Sequence, residues 1–298
     1  MLDILKTVLL GIVEGLTEWL PISSTGHMIL LDEFIRLDIS DAFKELFLVV
    51  IQLGAILAVV LLFWNKIWPF HLKSTAAKPF FTAKNGKPVN GIQSFCNDYI
   101  YMDRIILWLK IALASLPAAV LGILFDDQLD AMLVGDLRAY IVASALIVYG
   151  ILFIVIERRE HKVKVKSVEA ISFPLAFWIG VIQCLALVPG TSRSGSTILG
   201  AVMLGTSRLV AAEFSFFLSI SAMIGGSGIK LLMFFAHGNT VTPHEMAVLI
   251  VGTVVAFLVS VFAIKFLVSY IKKHDFQIFG YYRIILGVIV LLYFAFAS

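Results

Sequence analysis

Long apolar stretches alternate with shorter polar ones along most of this chain of 298 residues. A helix needs about 20 mainly apolar residues to cross roughly 30 Å of hydrocarbon. Stretches that meet this length predict full membrane crossings at residues 43–64, 103–125, 138–156, 211–236, 246–270 and 279–297. The pattern therefore predicts an all-α, polytopic membrane protein that forms a single membrane domain over 1–298.

Two further apolar stretches, 4–31 and 171–200, are interrupted by proline, glycine, serine and threonine. The interruptions read LPISSTGH at 20–27 and VPGTSRSGST at 188–197. Such breaks free backbone N–H and C=O groups that hydrocarbon cannot satisfy, so they must be buried in protein or line a wet cavity. We expect a re-entrant helix hairpin in each stretch.

The two interrupted stretches also resemble each other. Under one constant shift, identical residues coincide: Gly11 with Gly180, Ser23 with Ser192, and Gly26 with Gly195. Three crossings follow each hairpin, and three is odd, so the second hairpin should enter from the opposite face. This predicts an inverted repeat with halves 1–157 and 171–298 and a site near the bilayer midplane. A chance match of small residues is the alternative, but the breaks coincide as well as the identities.

Composition and charge agree with a membrane class. Hydrophobic residues make up 60% of the chain and charged residues 14%, outside the range of soluble domains. The net charge of +3 is small, so we expect no nucleic-acid partner. Basic residues cluster in the polar loop 65–102 and in 157–170, which predicts that both loops are cytoplasmic. The acidic turn after residue 125, the first hairpin and both termini then lie outside.

Two acids lie inside the first apolar stretch. Glu14 and Glu18 are four residues apart, so on a helix both carboxylates project from one face. An unpaired charge in hydrocarbon costs at least a few kcal/mol, and ionisable residues there are usually functional. The alternative is that each carboxylate only pairs with a cation from the other half.

A polar run follows Pro21, with Ser23, Ser24, Thr25 and His27 within five residues. Hydroxyl side chains commonly cap a helix beginning, which is the structural interpretation. A helix N-terminus with hydroxyl groups is also suited to bind an anion, and the two interpretations are compatible. Beside two acids, His27 becomes a candidate for acid–base chemistry.

The second interruption offers a complementary set: Gly190, Ser192, Arg193, Ser194 and Gly195. The planar guanidinium of Arg193 matches two phosphate oxygens, and glycines let backbone N–H groups approach an anion closely. Alone, a serine- and glycine-rich loop is a weak signal. Opposite the acid-and-histidine run in an inverted repeat, it predicts a phosphate site facing catalytic groups.

Two further residues are candidates for a supporting role. Gln183 occupies the position of Glu14 in the repeat frame, and Glu213 begins a crossing. Glu213 could orient Arg193, neutralise buried basic charge, or lie at the interface without a role in the chemistry.

These motifs resemble a known family. The runs EGLTEWLPISSTGH at 14–27, PGTSRSGST at 189–197 and EFSF at 213–216 closely resemble the bacterial undecaprenyl-diphosphate phosphatases linked to bacitracin resistance. The resemblance extends to VVIQLGAILAVV at 49–60 and to the region of Arg283. A polar insert around 70–98 is longer than the usual loop of that family.

The resemblance implies hydrolysis of undecaprenyl diphosphate to undecaprenyl phosphate and phosphate, which recycles the lipid carrier for cell-wall synthesis. It implies a divalent cation, Mg²⁺ or Ca²⁺, a bacterial plasma-membrane location and a site open to the outer face. It assigns catalytic roles to Glu14, Glu18, Ser24 and His27, with Ser23 and Thr25 as further hydroxyls and Ser192 with Arg193 as the phosphate-binding pair. A homodimer is one open expectation.

The chemistry leaves alternatives open at this stage. Arg193, the backbone of 190–196 and a cation held by Glu14 could neutralise the diphosphate. Ser24, activated by Glu18 or His27, could attack phosphorus, or the same groups could activate water. A transporter or flippase of a polyprenyl phosphate lipid is the main rival, because broken helices in inverted repeats are also a transporter architecture.

Overall fold

The structure is a computed structural model that describes residues 2–35, 37–72, 80–82, 90–125, 128–129, 137–159 and 162–297. Several residues used to predict topology lie outside these ranges: Lys73, Lys78, Lys84, Lys87, Asp126, Asp127, Asp130 and Asp136. Over the described ranges the regular secondary structure is helical, with two isolated β-bridges. The all-α prediction is confirmed.

Helices long and apolar enough to cross a membrane agree with the predicted crossings within a few residues. They are α3 (Asp41–Ile67), α5 (Met102–Leu124), α6 (Leu137–Glu157), α9 (Arg208–Ala236), α10 (Pro243–Ile271) and α11 (Gln277–Ala297). A short amphipathic helix, α4 (Gly91–Tyr99), lies in the polar loop between α3 and α5 and buries none of its residues. Six membrane crossings in the described part of the chain make this a polytopic membrane protein.

The two interrupted stretches are each a pair of short helices. The first pair is α1 (Leu2–Thr17) and α2 (Ser24–Phe34). The second is α7 (Phe173–Gln183), continued by a 3-10 turn at Cys184–Leu187, and α8 (Arg193–Met203). These helices have 16, 11, 11 and 11 residues, too few for a full crossing, so each pair brings its connecting turn into the protein interior.

The open ends of the two pairs lie at opposite ends of α9. Asp3, at the beginning of α1, accepts a hydrogen bond from the Asp38 amide and pairs with His244 near the beginning of α10. After α8, the Ser207 amide donates to the Val165 carbonyl, immediately before α9 begins. The inverted repeat and its two halves stay predictions.

Close helix packing surrounds the turns. A Cβ added to Gly150 would lie 2.7 Å from the Gly280 carbonyl oxygen, and a Cβ added to Gly280 would lie 2.7 Å from the Gly150 carbonyl oxygen. The backbones of α6 and α11 are therefore in close contact. On the other side α10 packs between α1 and α3. Small residues at such contacts are typical of membrane helices, which gain from close packing rather than from hydrophobic burial.

Candidate functional site

Two serines give the connecting turns the same unusual backbone. Ser23 and Ser192 have φ angles of 73° and 72°, and they are the only non-glycine residues with positive φ in the described ranges. Each caps the following helix, accepting from the amide of Gly26 at 3.4 Å and of Gly195 at 3.1 Å. A left-handed serine costs on the order of 1–3 kcal/mol, and such strain clusters at functional sites. The structural role predicted for Ser23 is therefore present.

The carboxylate of Glu18 contacts a residue from each of the two helix pairs. Oε1 of Glu18 lies 2.9 Å from Nη2 of Arg193, and its Oε2 accepts from the Ser24 hydroxyl at 3.0 Å. The two charged side chains are only 8% and 14% exposed. The structure thus brings an acid, a hydroxyl and a cation from the two separate pairs into direct contact.

Arg193 keeps binding capacity beyond this ion pair. Its Nη1 donates to the Ser215 carbonyl at 3.0 Å, which orients the guanidinium. Its Nε is buried and has no hydrogen-bond partner within the described residues. The guanidinium also lies 6.0 Å from the ring of Trp19. An oriented guanidinium with a free N–H is suited to a phosphate oxygen.

These groups face a cavity of about 290 Å³. It is lined by Glu18, Ser24, Thr25, Val49, Gln52, Ala186, Pro189, Gly190, Ser192, Arg193, Ala222, Met223, Gly226, Ser227 and Lys230. Six of the predicted site residues are therefore on its wall. Glu14, Ser23, His27, Gln183, Ser194, Gly195 and Glu213 do not line it.

Glu14 is bonded to Gln52, a residue of the cavity wall, and has unsatisfied binding capacity. Its side chain is 2% exposed, it hydrogen-bonds Gln52, and its Oε1 has no partner among the described residues. Gln183 is likewise buried with a free Oε1. No group of three or more acidic, histidine or cysteine side chains suited to a metal occurs in the described part of the chain. Any cation bound here would be held by at most two such side chains of the described residues, with other ligands from hydroxyl, amide or carbonyl oxygens, water or a substrate.

The second turn is shaped by close contacts. Gly190 has a φ of 91°, and a Cβ there would come within 2.6 Å of the Val142 carbonyl oxygen, so only glycine fits. The Ser194 hydroxyl donates to the Glu18 carbonyl at 3.1 Å. Ser194 therefore fastens the second turn to the first instead of facing the cavity.

Arg283 is a buried residue that motif reasoning did not assign to the site. It is 0% exposed and comes from α11. Its guanidinium donates to the carbonyls of Pro21 at 3.2 Å and of Gly190 and Thr191 at 2.8 Å each. It therefore ties both turns together. The available signal was a lone cation in the apolar stretch 279–297.

His27 hydrogen-bonds residues other than Glu18 and Arg193. Its Nδ1 lies 2.7 Å from the Ser23 carbonyl oxygen, and its Nε2 lies 2.6 Å from the Tyr282 hydroxyl. The two rings also stack, with centroids 5.6 Å apart. Both ring nitrogens are thus engaged, and a catalytic role for His27 stays a prediction.

Glu213 contacts a different cation from the one considered first. Its Oε2 lies 2.7 Å from Nζ of Lys66 at the end of α3. Of the two active roles considered for Glu213, neutralising a buried basic charge is only partly matched, because its partner Lys66 is basic but half exposed. Orienting Arg193 is not matched, because Ser215 and Glu18 hold that guanidinium.

The fold and the cavity together define a class: a polytopic helical membrane protein with a polar, charged site between two interrupted helix pairs. Comparison with known proteins makes this specific. The family model described as "Bacitracin resistance protein BacA" matches residues 7–289. This chain belongs to that family.

Three similar proteins can be aligned with nearly the whole of this chain. An undecaprenyl-diphosphatase of Enterococcus faecalis is 54% identical and covers 98% of this chain and 97% of the relative. Undecaprenyl-diphosphatase 1 of Clostridioides difficile is 52% identical, and the match covers 99% of this chain and 97% of the relative. An undecaprenyl-diphosphatase of Acetivibrio thermocellus is 51% identical, and the match covers 99% of this chain and 98% of the relative.

Proposed function

We propose that this protein hydrolyses undecaprenyl diphosphate to undecaprenyl phosphate and inorganic phosphate, recycling the lipid carrier for cell-wall synthesis and giving bacitracin resistance. Relatives named for this activity match it from end to end. The observation that carries the chemistry is the carboxylate of Glu18, which contacts both Ser24 and Arg193 in a cavity inside the membrane bundle.

The diphosphate group is recognised by positive charge and by N–H donors. Arg193 presents a free Nε at the N-terminus of α8, where backbone amides also favour an anion. Ser24, Thr25 and Ser192 add hydroxyls on the cavity wall. Phosphoryl transfer depends mainly on positioning and charge stabilisation, which such a wall supplies.

Ser24 is the favoured nucleophile. Its hydroxyl already donates to Glu18 at 3.0 Å, so the carboxylate can accept the proton as Oγ bonds to the terminal phosphorus. The bond from that phosphorus to the bridging oxygen breaks, and undecaprenyl phosphate leaves. Water then attacks the phosphoserine: its oxygen bonds to phosphorus, the bond from phosphorus to Oγ breaks, and Glu18 returns its proton to Oγ. Both protons of the water leave with the released phosphate. The alternative has Glu18 activate water directly.

A divalent cation, Mg²⁺ or Ca²⁺, belongs to this proposal. Mg²⁺ is commonly bound by one or two carboxylates together with substrate phosphates and water. The free Oε1 of Glu14 fits that requirement, and Glu18 follows one turn later, with its amide bonded to the Glu14 carbonyl at 3.0 Å. When bound, the cation would neutralise phosphate charge.

The site opens to the outer face in this proposal, and both termini lie outside. Arg158, Arg159, Lys272 and Lys273 follow the ends of α6 and α10, which marks that side as cytoplasmic by the positive-inside rule. The first pair opens at the opposite end of the bundle. Fusing a reporter of periplasmic or cytoplasmic location to the C-terminus tests this topology.

The decisive test of function is phosphate release by the purified protein in detergent from undecaprenyl diphosphate. An enzyme needs no gradient and no sealed membrane, so phosphate release excludes a pure transporter or flippase. A chelator should stop the release, and added Mg²⁺ or Ca²⁺ should restore it. No release at any cation concentration would contradict the proposed activity.

A second assay distinguishes the two nucleophiles. Brief reaction with substrate labelled at the terminal phosphate, followed by acid quenching, should leave label on Ser24. Ser24→Ala should retain neither label nor turnover, and Ser196→Ala, a buried serine of α8 that bonds Tyr149, is a matched control. Normal turnover in Ser24→Ala would favour direct attack by water.

A further inference from the structure

Lys230 places a second cation on the cavity wall. It lies within α9, and its side chain is exposed to the cavity rather than packed in the core. The structure gives its ammonium no hydrogen-bond or ion-pair partner among the described residues. A lysine inside a membrane helix is costly unless its charge is used or reaches the interface.

One turn before Lys230, the same helix presents a glycine to the cavity. Gly226 also lines the cavity, and a Cβ there would meet nothing within 4 Å. Glycines that serve packing behave differently, since a Cβ on Gly54 would come within 2.5 Å of the Thr253 carbonyl oxygen. Glycine in a helix costs about 1 kcal/mol relative to alanine. Gly225 and Gly228 are equally open, but of these three glycines only Gly226 lines the cavity, where the missing side chain leaves room for a ligand.

The charges on the cavity wall leave Lys230 uncompensated. Glu18 and Arg193 pair at 2.9 Å and largely cancel each other. A diphosphate lipid carries several negative charges, so a second cationic side chain would add to the neutralisation by Arg193 and by the proposed divalent cation. Lys230 is the additional cationic side chain on this wall.

Lys230 also lies nearer the opening than the reacting groups. The Ser40 hydroxyl donates to Glu245 at 2.8 Å, so the segments that follow α2 and α9 meet at one side. Ser24 begins α2, whose 11 residues span roughly 16 Å, whereas Lys230 is six residues, or roughly 9 Å, from the end of α9. When the terminal phosphate of the substrate is at Ser24, the lipid chain extends towards the opening. The part of the substrate that lies between Ser24 and the opening is then beside Lys230.

We propose that Lys230 binds the phosphate that stays on the lipid, while Arg193 and Ser24 engage the phosphate that is removed. The inference rests on the proposed function and names a further substrate-binding residue for it.

Steady-state kinetics on undecaprenyl diphosphate in detergent test the assignment. Lys230→Ala should raise KM roughly tenfold, because a charge-assisted contact is lost, and should change kcat little. Lys230→Arg should restore most of the affinity. Lys272→Ala removes one positive charge outside the cavity and is the matched control. An unchanged KM in Lys230→Ala, with active wild-type protein, would overturn the assignment. Inactive wild-type protein would instead contradict the proposed function.

Product inhibition identifies which phosphate is bound. Lys230→Ala should weaken inhibition by undecaprenyl phosphate and leave inhibition by inorganic phosphate unchanged. The reverse pattern would refute the placement of the lipid-linked phosphate. Gly226→Leu should also raise KM, whereas the neighbouring Gly225→Leu, which does not line the cavity, should not. An equal change of KM in Gly226→Leu and Gly225→Leu would count against a substrate bound along this face of α9.

Discussion

Replacing Arg193 with lysine keeps the positive charge but removes the planar guanidinium with its several N–H donors. The guanidinium of Arg193 donates from Nη2 to Glu18 and from Nη1 to Ser215, while its buried Nε has no partner among the described residues. A lysine has a single nitrogen at the end of a flexible stem. It cannot hold both protein partners and also present an oriented N–H to phosphate.

The contacts set the size of the expected loss. A hydrogen bond to a charged group contributes about 1.5–3 kcal/mol. Lysine at position 193 loses one protein contact that fixes orientation and one contact to the phosphate, so about 3–6 kcal/mol of transition-state stabilisation disappears. We therefore expect kcat/KM to fall by roughly 10²- to 10⁴-fold in Arg193→Lys.

The assay is phosphate release in detergent at several substrate concentrations, with thermal unfolding as the check on folding. Arg208→Lys is the matched control, because Arg208 also makes forked contacts, here with Glu157, but lies away from the cavity. That control should stay within about twofold of wild type, as is usual for surface positions. A folded Arg193→Lys variant with the same near-normal rate would refute the reasoning, and Arg193 would then have only a structural part.

Three further predictions follow from the described contacts. Glu18→Gln should lower kcat by about 10²- to 10⁴-fold in the phosphate-release assay, because the amide cannot accept a proton from Ser24; normal turnover would exclude Glu18 as the base. Arg283→Leu should lower stability by about 3–5 kcal/mol, measured by thermal unfolding, because it leaves carbonyls of both turns unpaired; an unchanged melting temperature would contradict this. Glu213→Gln should cost about 1 kcal/mol of stability or less and keep turnover, since its partner is the half-exposed Lys66; a large loss of activity would show that Glu213 acts on the site.

The crossings were predictable because length and hydrophobicity in a membrane follow from simple physical limits. The ends of α3, α9 and α10 lie within a few residues of their predictions. The breaks at 20–27 and 188–197 were also predictable, since proline and a run of small polar residues end an apolar helix. The contact of Glu18 with Arg193 matches the alternative considered for the acids, in which a carboxylate of the first stretch pairs with a cation from the other part of the chain.

Side-chain direction was less predictable. His27 is only three residues from Ser24, yet its ring turns to Tyr282, a partner 255 positions away that no local pattern reveals. Lys230 lies in an apolar crossing, where a lysine stem can often reach the interface. In the structure, α9 packs against α3 through the Ser227 hydroxyl and the Val49 carbonyl, and Lys230 lines the cavity. Such orientations depend on which helix faces meet, which spacing along the chain does not determine.

Arg283 accounts for how the strained turns persist. The left-handed Ser23 and Ser192 each cost on the order of 1–3 kcal/mol, so neither turn would hold its shape in isolation. Charge-assisted bonds from Arg283 to carbonyls in both turns, at about 1.5–3 kcal/mol each, are large enough to offset that cost. Because the same guanidinium contacts both turns, it fixes them relative to each other as well as individually. The pairing of Glu18 with Arg193 across the turns is therefore set by the scaffold before a ligand arrives, which is the condition under which a charged site stabilises a transition state without reorganising.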